Sequence, residues 1–85
     1  MNVFKIVAEW DRASEDEHME GLGNKCGYKT LKEALNVANK NKEKYYLLFA
    51  TRPDQIIIWE TDLEDGEFPS FGEWNLKGDK IYEGG

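Results

Sequence analysis

The chain of 85 residues carries 17 acids against 11 lysines and arginines, a formal net charge of −6. That balance argues against direct attraction to nucleic acid or to an anionic membrane surface, and the length suits a single small domain spanning 1–85. A single cysteine excludes an internal disulfide and fits a reducing, cytoplasmic setting.

The opening stretch, MNVFKIVAEW, alternates apolar and polar positions and contains charges. It reads as a strand from Val3 to Trp10 and not as a signal peptide, and no apolar run approaches the ~20 residues of a membrane span. Phe4, Ile6, Ala8 and Trp10 share one face, a natural floor for a helix. Val3, Lys5, Val7 and Glu9 share the other. Asp11 to Tyr28 has no clear periodicity and reads as a long loop. It is acidic at first (Glu15, Asp16, Glu17, Glu20) and glycine-rich at its end (Gly21, Gly23, Gly27). A loop of this length in a small domain is uncommon and is often functional or mobile. A short edge strand near His18 to Leu22 is the alternative.

A helix follows, predicted over Leu31 to Asn41. Thr30-Leu31-Lys32-Glu33 has the form of a capping box, and Leu31, Ala34, Leu35 and Ala38 fall on one stripe. Lysines close the helix at the negative end of its dipole. Tyr45 to Thr51 and Ile56 to Thr61 are rich in β-branched and aromatic residues, and Arg52-Pro53-Asp54-Gln55 between them suits a type I turn. The expectation is a central hairpin. One of its faces would hold Tyr46, Leu48, Ala50, Ile57, Trp59 and Thr61, and the other Leu47, Phe49, Thr51, Ile56, Ile58 and Glu60. Neither face is polar, so both need cover. Asp62 to Gly66 is an acidic turn. Trp74-Asn75-Leu76 and Lys80-Ile81-Tyr82 flank Lys77-Gly78-Asp79 as a short hairpin, and 83–85 is a tail. The fold class is α+β: a small, mostly antiparallel sheet with one helix packed on one face.

No complete catalytic or metal-binding motif is present. The glycine-rich run before Thr30 lacks the contiguous Gly-Lys-Ser/Thr of a phosphate loop and has Cys26 where the dinucleotide fingerprint needs glycine. What remains is a generic anion site formed by Lys25, Lys29 and Thr30 at the helix start. His18 and Cys26 cannot complete a structural zinc site. Asp62, Glu64 and Glu73 approach EF-hand spacing, but the residues between them do not fit the loop. No catalytic residue, metal or cofactor is expected.

These features favour a small acidic, non-enzymatic binding or inhibitor protein that acts by occupying a partner protein. In size and composition it is analogous to phage-encoded antagonists of host or defence systems. Asp62, Glu64, Asp65 and Glu67, with the acids of the 15–20 segment, would face a basic surface on that partner. A protein that sequesters a small nucleotide-like anion is one alternative. A small hydrolase is another, and it would need a convergent pocket around His18 or a carboxylate pair. The two apolar faces of the central hairpin also predict self-association as a homodimer, anchored by Tyr46 and Trp59. Partial cover by the Phe68 to Trp74 segment is the competing expectation.

Overall fold

The computed structural model describes residues 2–11, 16–64 and 68–84. Its elements in chain order are β1 (Asn2–Asp11), β2 (Asp16–Leu22), α1 (Leu31–Lys40), α2 (Lys42–Leu47), β3 (Gln55–Asp62), β4 (Gly72–Trp74) and β5 (Lys80–Tyr82). The strands form one antiparallel sheet in the order β2-β1-β3-β4-β5, and both helices pack on the same side of it. The α+β class is as the sequence indicates.

Alternation along β1 sorts its side chains as expected. Ile6, Ala8 and Trp10 meet Ile56 and Ile58 of β3, Leu22 of β2, Ala34 and Ala38 of α1 and Tyr45 of α2 in one buried cluster. Each fully buried isoleucine contributes about 1.5–3 kcal/mol of transfer free energy, so this cluster is the main apolar core. The two alanines let α1 lie close to the sheet. The start of α1 is capped as its sequence implies, with the Glu33 amide donating to Thr30 Oγ1 at 3.1 Å. The helix ends one residue earlier than predicted. Asn41 is its C-cap, with φ −110° and not the left-handed conformation.

The predicted central hairpin does not form. β3 pairs with β1, from Asn2 opposite Asp62 to Glu9 opposite Gln55, and Lys42 to Leu47 is helical. The physical reason lies in the helix-side core. Ala34, Ala38, Tyr45 and Phe49 repeat at helical spacing, so a second helical turn after Asn41 carries the apolar stripe of α1 onward. Tyr45 is buried there, and Phe49 sets its ring edge-on to Trp10 at 4.9 Å. Leu47 and Leu48, expected to be core, are turned outward at 74% and 58% exposure. The segment after α2 wraps the end of β1: Trp10 Nε1 donates to the Thr51 carbonyl at 2.9 Å, and the Asp54 amide to the Glu9 carbonyl at 2.8 Å.

The supposed long loop also contains structure. Asp16–Leu22 runs antiparallel to β1 with an irregularity opposite Ile6 to Ala8, longer than the edge strand considered near His18 to Leu22. A C-terminal hairpin forms with Lys80–Tyr82 as its second strand, but its first strand is Gly72–Trp74, and Asn75 and Leu76, read as strand, belong to the turn. Asn75 Oδ1 accepts from the Lys77 and Asp79 amides at 3.0 and 2.9 Å, and Asn39 Nδ2 donates to the Leu76 carbonyl at 3.0 Å, tying this loop to α1. Gly72 begins β4 at φ +139°, where an added Cβ would lie 2.5 Å from Lys80 Cε and 2.6 Å from the Tyr82 carbonyl oxygen.

Neither described helix lies on the other side of the sheet. Val7, Ile57 and Trp59 form a small second cluster there, and each is at most 4% exposed. Their cover comes largely from long side chains of the sheet itself. Lys5 Nζ reaches Glu20 Oε1 at 3.2 Å across the face, and the His18 ring lies on Trp59 at 4.8 Å. The Phe68 to Trp74 segment contributes at one end, where its Phe68 carbonyl accepts from Thr61 Oγ1 at 2.7 Å.

Candidate functional site

On this helix-free side the strand ends and side chains leave a cleft of about 350 Å³. Its walls are Glu9, Trp10 and Asp11 of β1, Glu17 and His18 of β2, Gln55 of β3, Glu73 of β4, and Ile81 and Tyr82 of β5. Among the described residues that line it, four are acids and none is lysine or arginine. The sheet order explains the convergence. Glu9 is opposite both His18 and Gln55, while Glu73 is opposite both Trp59 and Tyr82. Glu9 and Glu73 then extend toward each other across β3.

The two carboxyls come within hydrogen-bonding reach, and Gln55 Nε2 fixes Glu9 by donating to its Oε1 at 2.7 Å. Glu73 is held above the ordinary value of 4.5, first by partial burial and next by the charge of Glu9, while the Trp59 indole pulls it down. That pull is incomplete: Trp59 Nε1 is buried beside Glu73 and forms no hydrogen bond of full geometry. Burial and the neighbouring charge of Glu9 therefore favour the protonated form of Glu73.

Stability should respond to pH through Glu73. The folded chain holds this proton more tightly than the unfolded chain does. Stability therefore falls as pH rises from about 4.5 through the raised folded value, and the penalty of the charged pair persists above it. Glu73→Gln removes that penalty. The variant should melt at a higher temperature than wild type at neutral pH, and the difference should vanish on acidification below about 4.5. Thermal melts across pH check this; a difference independent of pH would contradict it.

The residues singled out from sequence are dispersed. Asp62 and Glu64 lie at the end of β3 far from Gln55, where Asp62 Oδ1 accepts the Glu64 amide at 2.9 Å. Asp65 and Glu67, like Glu15, lie outside the described residues. Of the acids in 15–20, Glu17 lines the cleft and Glu20 pairs with Lys5. Lys25 and Lys29 are exposed on either side of the bridge that joins Tyr28 to Phe4, and Thr30 already spends its hydroxyl on the Glu33 amide. Tyr46 and Trp59 do not share a sheet face. Tyr46 packs on the helix side under Arg52, whose guanidinium is 4.3 Å from the ring centroid, whereas Trp59 belongs to the helix-free cluster and is 4% exposed. The hairpin that led to a dimer anchored by both rings is therefore absent.

Sequence reasoning missed Glu9 and Gln55, and weighed Glu73 only with Asp62 and Glu64 at calcium-loop spacing, not as a partner of Glu9. Their only local signal is that each adjoins a buried apolar or aromatic position. Among the described residues no group of three or more His, Cys, Asp or Glu side chains is placed to hold a metal ion. No described helix is long and apolar enough to cross a membrane. No protein-family model, curated protein or solved structure matches the chain.

Proposed function

We propose that this is a non-enzymatic binding protein that occupies a partner protein through the helix-free face of its sheet. One observation carries the reading: a cleft lined by acids and aromatic rings opens on that face. Tyr82 also lines a second hollow, with Phe68, Pro69 and Ser70. Phe68 and Tyr82 are 53% and 44% exposed, Ile81 nearby 49%. Aromatic anchors beside polar groups are the composition of binding hot spots, and a cleft with four acids among its described walls favours a basic partner surface. Size and charge suit an inhibitor of the kind phages direct against host or defence systems.

The test compares wild type with two charge reversals, Glu9→Lys with Glu73→Lys and Asp62→Lys with Glu64→Lys, as immobilised baits in native host lysate. A partner lost only from the first variant supports the cleft. One lost only from the second moves the contact to the end of β3, and one retained by all baits removes the reading.

Hydrolysis is a second reading, favoured by a specific observation: the cleft brings His18 together with the carboxyls of Glu9 and Glu73, and paired carboxyls in one site are an arrangement known to activate water. Turnover of chromogenic esters or glycosides that disappears in both Glu9→Gln and Glu73→Gln would support it over binding.

A further inference from the structure

We propose that β3 takes up a strand from another protein: an extended, acidic peptide segment that adds beside Ile56, beyond the end of β4, in a hollow between α2 and the β4–β5 turn. This contact goes beyond the helix-free face and does not depend on it.

Backbone direction along the sheet leads to this edge. Phe4 exchanges both of its backbone hydrogen bonds with Tyr28, each 2.8 Å, on the side of β1 away from β3. Successive residues of a strand turn their backbone groups to opposite sides. Val3, Lys5, Val7 and Glu9 therefore face β3, where the Glu9 carbonyl accepts the Asp54 amide. Opposite them, Ile57, Trp59 and Thr61 face β1. Ile56, Ile58 and Glu60 face the other way, toward β4, and the Glu60 carbonyl accepts the Phe71 amide at 3.0 Å. Yet β4 pairs only with Ile58 to Glu60. The Leu76 carbonyl, next in register for Ile56, is drawn to α1, where it accepts from Asn39 Nδ2 at 3.0 Å. Among the described residues no group bonds to the N–H or C=O of Ile56 on that side. Ile56 is 3% exposed. Its donor and acceptor thus have neither a partner in the described chain nor much access to water, a costly state for backbone groups.

The hollow beside them, of about 200 Å³, is bounded by Lys42 and Tyr46 of α2, by Ile57, and by Leu76 and Lys77 of the turn. An extended chain presents an N–H and a C=O together, as an open strand edge requires, and such edges recognise peptides in this way. Charge selects the segment. Among the described residues that line the hollow, two are lysines and none is an acid. Arg52, 4.3 Å from the centroid of the Tyr46 ring, adds a third cation beside it. A residue paired with Ile56 shares its face of the sheet, and Tyr46 packs on that same face. An acidic side chain at that place meets Lys42 while its own backbone completes the ladder.

The test titrates the full-length, isotope-labelled chain with acetyl-Thr-Val-Glu-Val-Thr-amide. The controls are the same peptide with glutamine at its centre, the same peptide with its central glutamate N-methylated, and inorganic phosphate. Amide shifts should centre on Gln55, Ile56, Ile57 and Leu76, and exchange of the Ile56 amide should slow. Both altered peptides should bind about tenfold or more weakly, and so should the original peptide to a folded Lys42→Gln, Lys77→Gln variant. The N-methyl peptide keeps its charge and loses the donor to the Ile56 carbonyl, so equal binding of it would overturn strand addition. Equal binding of the glutamine peptide would overturn the acidic specificity. Phosphate that gives the same shifts at the same concentration would make the hollow a small-anion site and overturn the peptide. A dimer that the peptide dissociates would name a second copy as the occupant, with the same consequence. Shifts away from Ile56, or none at millimolar peptide, would remove the site altogether.

Discussion

Trp59→Ala should lower the unfolding free energy by about 3–5 kcal/mol. For a chain of 85 residues, whose total stability is on the order of 4–13 kcal/mol, that is a large share. The ring is central to the helix-free cluster with Val7 and Ile57. It is 4% exposed, and the His18 ring lies on it at 4.8 Å. Neither described helix stands above this side to collapse into the space left by an alanine, so the cavity stays or floods. Trp59→Phe is the informative companion. It keeps most of the ring and deletes an N–H that has no formed hydrogen bond. The lost volume and the relieved polar group act in opposite directions, and the variant should stay within about 1 kcal/mol of wild type. Denaturant titrations of both decide the matter; a phenylalanine variant as unstable as the alanine one would mean that the indole nitrogen is bonded after all.

Gly72→Ala should cost about 2–4 kcal/mol. At φ +139° an L side chain is strained whatever the space, and here there is none: the new Cβ would stand 2.6 Å from the Tyr82 carbonyl oxygen and 2.5 Å from Lys80 Cε. The lysine end can swing aside. The carbonyl belongs to β5, so relief requires β4 and β5 to part. The damage should therefore reach the cleft wall formed by Ile81 and Tyr82. Amide exchange of β5 should accelerate more than that of β1, and an unaltered exchange pattern with full stability would show that the turn accommodates a methyl group.

How far the sequence could be read depended on whether a residue's role was local. The β1 faces were legible because alternation needs no knowledge of partners, and Thr30 and Glu33 announced the start of α1 through chemistry three residues apart. Lys42 to Leu47 misled because Tyr45, Tyr46, Leu47, Leu48 and Phe49 have strand composition, and a short apolar run does not distinguish the two periods. The helical spacing of Ala34, Ala38, Tyr45 and Phe49 was available but crosses Asn41, where the helix breaks. β2 was hard to see because an edge strand with acids on it, DEHMEGL, buries little. The cleft was illegible for a further reason. Glu9, His18, Gln55 and Glu73 come from four strands, and they meet only because β3 pairs with β1 on one side and β4 on the other. A hairpin of Tyr45 to Thr51 with β3 would use one edge of β3 for a different neighbour, and that convergence does not follow from it.

The pairing of β1 with β3 also governs the order of events during synthesis. Contacts across this seam join residues 46 and 58 positions apart, as in Gln55 with Glu9 and Asn2 with Glu60. At typical translation speeds of about 5–20 residues per second, β1 leaves the ribosome roughly 2–12 seconds before its central partner is complete. During that interval Ile6, Val7 and Ala8, all fully buried later, have β2 first and then, on the Ile6 and Ala8 side, the stripe of Ala34, Ala38 and Tyr45 for company. The acidic edge strand that looked like a loop is thus the first neighbour β1 can acquire, and its charges repel other nascent chains while the hairpin waits.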